Sequence, residues 1–257
     1  PLAGKALTHF YSVSWEGAAP TWTPGFEAEF QHYRGYNVIS NLPVLAGVTV
    51  KDRAQSERFL ADFIRTLSDC FLNNCYGELR TLTNRAGMQW HAESGGPWGK
   101  DLFFQQADQL EYWARNDMPQ GEFWQPEKVD LPVGSTRANL RRTAMAGHIY
   151  GLPIIASESF THMISHWIMY PARLKPNVDD VFIDGANQII WHTFSASPKE
   201  FGKPGIIYWA GTHLNPNVTW WEQSSGFLDY LARCQYLLRQ GLPVNDVLVY
   251  ASSHNNS

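Results

Sequence analysis

Residues 153–161 read PIIASESFT, and this stretch decides how the rest of the chain is parsed. Pro153-Ile154-Ile155-Ala156-Ser157 is a short apolar run with the pattern of a buried strand, and it leads straight into Glu158. Its flanks are amphipathic. Residues 137–150 predict a helix before it, and a helix near 179–186 separates it from the next apolar run, 188–194 (QIIWHTF). Strand, helix and strand in that order predict parallel strands joined by right-handed crossovers.

Moving outward, the alternation continues. Upstream lie a very short strand near Gln120–Phe123, a helix over 101–115 and a strand over 88–92 (MQWHA). Before them, Phe59, Phe63, Leu67, Cys70 and Phe71 recur at helical spacing within a helix over 52–84 that Gly87 ends. A strand over 6–14 (ALTHFYSVS) precedes a loop of Gly, Pro and Trp. Downstream, Thr219-Trp220-Trp221-Glu222 has the form of a capping box. Trp220, Phe227, Leu228, Leu231, Cys234 and Leu238 then make one apolar stripe, stopped by Gly241 and Pro243. Residues 246–252 (DVLVYAS) predict a new buried strand. Five β/α units precede it. An open doubly wound sheet and a (β/α)8 barrel both fit; the absence of a GxGxxG loop after a strand weakens the nucleotide-binding version.

Of 257 residues, 44% are hydrophobic, enough for a packed core and too many for global disorder. The formal net charge is −4 and Lys and Arg form no run, so a nucleic-acid surface has no electrostatic support. No apolar stretch approaches the ~20 residues that span a bilayer. The 11 Trp, 11 Tyr and 14 Phe either fill a ring-rich core or line a sugar site, where ring faces pack on C–H faces. Cys70, Cys75 and Cys234 form no disulfide framework and read as buried free thiols. The chain opens Pro-Leu-Ala-Gly without Met, so targeting information is expected to lie outside it and the compartment goes unread.

The strongest chemical signal is positional. Four predicted strands end in, or just before, a glutamate: Trp15-Glu16, His91-Ala92-Glu93, Gly121-Glu122-Phe123-Trp124 and Ser157-Glu158-Ser159-Phe160-Thr161. In a β/α barrel the C-terminal strand ends converge on one mouth, where the active site sits. Carboxylates gathered there repel one another unless a cation, sugar hydroxyls or raised pKa values compensate. Folding gains nothing obvious from such a cluster, whereas glycosidic cleavage needs one carboxylic acid and one carboxylate. Any one of these glutamates has a plain alternative as the first turn of the next helix; the recurrence beside Trp, His or Phe favours chemistry.

Trp15, His91 and Trp124 flank these glutamates. With His192, and with His213 and Asn215 of GTHLNPN, they are candidate sugar contacts, a buried and satisfied side chain being the alternative for each. Asp101, after the Gly-rich SGGPWGK, is a candidate cation or sugar ligand, or a helix cap. His162 and His166 are four apart, but no Glu follows His162, so the HExxH zinc motif is absent. No GxSxG elbow appears and no Cys sits in a reactive context, which leaves acyl transfer without a nucleophile.

The blocks SWEGAAPTWTPGFEAEFQHYRGY, HAESGGP with Asp101 after it, GEFW, Ala146-Gly147-His148-Ile149-Tyr150-Gly151, SESFT, WHTFSASPKEFGKPG, GTHLNPNVTWWEQ and YLARCQYLLRQGLPVNDVLVY occur in this order. Together they resemble the α-L-rhamnosidase family of large multidomain bacterial glycoside hydrolases numbered 106. GEFW alone is weak; the ordered set covers nearly the whole chain and is specific. The resemblance implies a (β/α)8 TIM-type catalytic barrel inside a longer chain, inverting hydrolysis of terminal α-L-rhamnosides or a related deoxy sugar, and calcium near the sugar. It also implies further domains and a periplasmic or secreted bacterial setting. Counting back from the last barrel helix makes 188–194 strand eight, 153–157 strand seven, 119–123 strand six, 88–92 strand five and 6–14 strand four. The expectation is therefore an incomplete barrel over 1–242, about strands four to eight, with the first strand of a following domain within 243–257. One departure stands out: the family usually has an Asp two residues before the Trp of its Asp-Ser-Trp-Glu block, where this chain has Val13.

On this reading Glu16 and Glu158 form the acid and base pair, neither role being assigned, by analogy with barrel glycosidases. Glu122 and Glu93, with Asp101 helping, bind the calcium or sugar hydroxyls, because hard oxygen ligands suit that ion; Glu122 is also a candidate catalytic carboxylate. Two rivals stay open: a retaining glycosidase of the β-galactosidase or β-glucuronidase type, and a non-catalytic, carbohydrate-binding barrel, which Val13 favours. The partners expected are a carbohydrate and the remaining domains of the parent chain.

Overall fold

In the computed structural model, which describes residues 2–15, 20–93, 109–125, 137–163 and 166–248, short strands alternate with longer helices. The strands are β1 (His9–Ser12), β2 (Gln89–Glu93), β3 (Met118–Trp124), β4 (Ala156–Thr161) and β5 (Gln188–Trp191). The α-helices are α1 (Phe26–Arg34), α2 (Arg53–Cys70), α3 (Glu78–Arg85), α4 (Gln109–Ala114), α5 (Arg137–Tyr150), α6 (Pro171–Ile183) and α7 (Ser225–Leu238). Strand order follows chain order. The chain divides into two units, with the boundary inside β2: Gln89 and Trp90 belong to the first, His91–Glu93 to the second.

In the first unit, Asp52 accepts a hydrogen bond from Gln55 N and caps α2, whose start the sequence places within a residue. The buried stripe Phe59, Phe63 and Leu67 packs on α1, with Phe63 at 5.2 Å from Phe26 and Phe59 at 5.9 Å from Phe30. The single helix expected over 52–84 contains a π-helical insert, Phe71–Gly77, between α2 and α3. Its wider turn brings Phe71, Leu72 and Tyr76 inward together. Tyr76 then meets Trp90 and Tyr112 edge-on, at 6.3 and 5.5 Å. Much of the ring-rich composition is thus core. β1 lies beside β2, where Thr8 O accepts from Gln89 N at 2.8 Å. Cys70 and Cys75 are free and half-buried, and burial pushes both thiols up, Cys70 to about 11, so neither is a ready nucleophile.

In the second unit, β2, β3, β4 and β5 pair parallel. Phe123, Phe160, Ile189 and Trp191 on one face of the sheet pack against Leu140 of α5, Val178 and Val181 of α6, and Phe227 and Leu231 of α7. Gly121 lets β3 and α5 approach closely: a Cβ there would lie 2.6 Å from Thr143 Oγ1 and 2.9 Å from the Leu140 Cα.

Several boundaries differ from the sequence reading. β4 starts at Ala156 rather than 153, because Pro153 has no N–H and Ile155 N donates to the Asn187 side chain, so pairing begins at Ala156 opposite Gln188. It also runs on through Glu158 to Thr161. α6 begins at Pro171, eight residues before the predicted helix, since proline at a helix start sacrifices no hydrogen bond. The capping box at Thr219 does not form. Trp220 Nε1 is tied to Met169 O at 2.9 Å, Trp221–Gln223 makes a 3-10 turn, and α7 starts at Ser225 without a side-chain cap. Leu238, assigned to the apolar stripe, is half-exposed. Residues 246–248 are not strand, and the rest of the predicted 246–252 strand lies outside the described residues, as do 101–108 of the predicted 101–115 helix.

Candidate active site

The site is assembled by register. Glu122 of β3 pairs directly with Glu158 of β4, and Glu93 of β2 pairs with Gln120, two residues before Glu122. Neighbouring strands run about 4.8 Å apart, so side chains of like register on one face meet. One carboxylate oxygen from each of Glu93, Glu122 and Glu158 lies within 4.8 Å of the others. Glu93 is buried and the other two are half-buried. Alternation along β3 separates Glu122 and Trp124 from Phe123, which enters the core. Trp124 Nε1 donates to Glu122 Oε2 at 2.9 Å.

β4 does not alternate regularly. Its register with β3 runs Glu122 to Glu158 and then Trp124 to Thr161, three steps against two. The extra residue is absorbed in a bulge where Phe160 has a left-handed backbone, φ 72. The bulge returns Thr161 to the face of Glu158, and Thr161 Oγ1 donates to Glu158 Oε1 at 2.9 Å. His192, just past β5, places Nδ1 at 3.2 Å from Thr161 Oγ1 and 3.7 Å from Glu158 Oε1.

Glu93, Glu122, Glu158, Trp124 and His192 are thus brought to one group, and buried His91 precedes Glu93 on the same strand face. Glu16 and Asp101 lie outside the described residues. Trp15 belongs to the first unit, edge-on to Phe71 at 5.4 Å, and lines a cavity of about 360 Å3 there with Trp22 and Phe26. His213 is buried, stacked on Trp167 at 4.3 Å, with Nε2 at 3.0 Å from His166 Nδ1. Burial, then the neighbouring His166, holds its pKa below the ordinary value. Asn215 shapes a loop, donating to Ser195 O and accepting from Asn217 N. Thr161 is absent from the sequence-based candidates. It stands three residues after Glu158, a spacing that in a regular strand points the two to opposite faces.

Parallel strands, crossover helices and acidic strand ends are the parts of a barrel-type glycoside hydrolase. Residues 2–257 match the profile of glycoside hydrolase family 106, described as alpha-L-rhamnosidase, and the chain belongs to that family. It is similar to the rhamnosidase from Novosphingobium sp. PP1Y, at 29% identity and a TM-score of 0.81, over 91% of this chain and 22% of that one. It is also 34% identical over 251 residues to a Formosa agariphila protein provisionally named a beta-glucuronidase, covering 97% of this chain and 20% of the relative. The chain therefore spans about a fifth of the length of these relatives.

Proposed function

We propose that this chain is part of the catalytic barrel of an enzyme that hydrolyses terminal α-L-rhamnosides, or a related deoxy sugar, with inversion. The observation that carries the reading is the Glu93, Glu122 and Glu158 cluster on three neighbouring parallel strands. The family match and the Novosphingobium rhamnosidase support the sugar.

Inversion needs an acid and a base on opposite sides of the sugar bond, about 6.5–9.5 Å apart. Glu122 and Glu158 stand side by side, too close for that division. We therefore assign Glu158 as the base and Glu16 as the acid. Glu158 suits the base role because its Oε1 accepts from the Thr161 hydroxyl, which holds the side chain and leaves its other oxygen for water. Glu158 takes a proton from water as Glu16 gives one to the departing oxygen. Trp124 orients Glu122, whose place is beside the base rather than across from it.

The three carboxylates also fit calcium. They are hard oxygen donors within reach of a common centre. Glu93 and Glu122 would hold the ion, with Asp101 assisting. When bound, it supplies positive charge for the cluster and a seat for sugar hydroxyls.

A second reading, a retaining β-glucuronidase-type enzyme, is favoured by one specific observation. Retaining enzymes separate their two carboxylates by about 5–5.5 Å, and Glu122 and Glu158 approach to within 4.8 Å. The Formosa relative's name points the same way. The test is to assay the full-length parent on p-nitrophenyl α-L-rhamnopyranoside and p-nitrophenyl β-D-glucuronide and follow the first-formed anomer by proton NMR. Rhamnoside turnover with inversion is expected, lost by about 1,000-fold or more in Glu158→Gln and lowered by EDTA until calcium is restored. Turnover of the glucuronide alone, or retention, would overturn the reading; full activity after exhaustive chelation would remove the metal.

A further inference from the structure

Thr161 meets two polar partners with a single hydrogen. Its Oγ1 lies 2.9 Å from Glu158 Oε1 and 3.2 Å from His192 Nδ1. A carboxylate only accepts, so the hydroxyl hydrogen goes to Glu158. The threonine oxygen must then accept from His192, which requires the proton of that imidazole on Nδ1. His192 does not replace threonine: its own distance to Glu158 is 3.7 Å, beyond a hydrogen bond.

The surroundings are shaped around this chain. Thr161 is 1% exposed and faces Glu158 only because of the β4 bulge. His192 is fixed at both backbone groups, its N donating to Ser159 O and its O accepting from Thr212 N, each at 2.9 Å. Tyr208 stands edge-on to its ring at 5.4 Å. Gly211, at φ +101, leaves the Nδ1 edge clear: a Cβ there would lie 3.1 Å from His192 Nδ1 and 2.8 Å from its carbonyl oxygen.

We propose that Thr161 is a positioning residue for catalysis. The chain from His192 Nδ1–H to Thr161 Oγ1–H to Glu158 Oε1 ties one carboxylate oxygen and directs the other to the water proton. The role rests on the reading of Glu158 as the base. It acts on the chemical step rather than on sugar binding, because Thr161 is buried and reaches the site through Glu158.

The experiment uses the full-length parent and whichever of the two aryl glycosides the wild type turns over. Thr161→Val keeps the shape and deletes the hydroxyl. It is expected to lower kcat about 10- to 100-fold, with KM within about twofold of wild type. Thr161→Ser restores the hydroxyl and most of the rate. His192→Ala adds little further loss in kcat on top of Thr161→Val, because both act along one chain. A Thr161→Val enzyme with kcat within about twofold of wild type, a loss confined to KM, or a serine variant as slow as valine would overturn the proposal. Matching thermal unfolding of the valine variant and wild type separates these results from misfolding. If Glu158→Gln is dead while Thr161→Val is unaffected, the base assignment survives and the positioning role does not. A wild type inactive on both glycosides would overturn the two together.

Discussion

Phe160 sits inside a strand with φ 72 and is fully buried, between Phe123 at 5.2 Å and Trp191 at 4.4 Å. A left-handed backbone costs a non-glycine residue about 1–2 kcal/mol, and the ring's burial is what maintains it. This sets an unusual order among variants. Phe160→Ala loses the ring, worth ~3–5 kcal/mol, and keeps the strain. Phe160→Gly loses the same ring and sheds the strain, so it should be the more stable of the two by ~1 kcal/mol, although glycine normally weakens a strand. Urea unfolding of both, followed by tryptophan fluorescence, checks this; an alanine variant more stable than glycine would show that the bulge stores no strain. The same residue marks the limit of sequence reading at the site. The placement of Glu93, Glu122 and Glu158 on neighbouring strands is legible because each lies in or just after a short predicted strand, a purely local property. Thr161 is not, because its partnership with Glu158 depends on one extra residue that neither propensity nor spacing announces. Asn215 and His213 stand out in the sequence as polar residues of a loop, but their contacts are with Ser195 and Asn217 and with His166 and Trp167.

Elements came through the sequence in kind more clearly than in extent. The alternation of short apolar runs with amphipathic stretches was enough for β2 to β5 and their crossovers, because those strands are covered by helices on one face. Ends failed where tertiary contacts won. Trp220 prefers Met169 O to a capping role, and Pro171 starts α6 in a stretch where no periodicity was visible. The segments after β4 and β5 are joined by His166 and His213, and this junction carries a pH dependence. Burial, then His166, holds His213 below its ordinary 6.5, and burial, then His166 and Arg173, does the same for His162. The native state therefore binds these protons more weakly than the unfolded chain. The benefit is complete above pH 6.5 and is lost as pH falls below it toward the native values. The parent's unfolding midpoint should thus drop between about pH 7 and pH 5, and His213→Gln should flatten that slope. An unchanged slope in the variant would show that other groups set it.

At the scale of the whole molecule, β1 and β5 stand at the two ends of the strand order. β1 carries exposed Phe10 and Tyr11, with exposed Val13 just beyond, and past α7 the chain leaves Leu242 and Val244 almost fully exposed. Open strand edges with apolar side chains invite association with other chains. The incomplete barrel expected from the sequence has this property, and the similar proteins are about five times longer. Residues 1–257 expressed alone should therefore form soluble aggregates or self-associated species and should not turn over an aryl rhamnoside. Size-exclusion chromatography with light scattering checks this. A monomer with a sharp cooperative transition and measurable turnover would show that the chain closes its own edges.

Strands ordinarily forbid the loss of one residue, because a single deletion flips every later side chain to the wrong face. β4 is arranged the other way. Ser159 and Phe160 together stand against Phe123, so Ser159 is surplus to the pairing with β3, although it still pairs with Trp191 of β5. Deleting it would leave Glu158, Phe160 and Thr161 alternating as a plain strand, with the carboxylate and the hydroxyl still on one face. Among proteins that share this block, a one-residue gap is therefore best tolerated at this position. A gap placed outside residues 159–160 would leave the bulge in place and shift the pairing of the flanking residues instead.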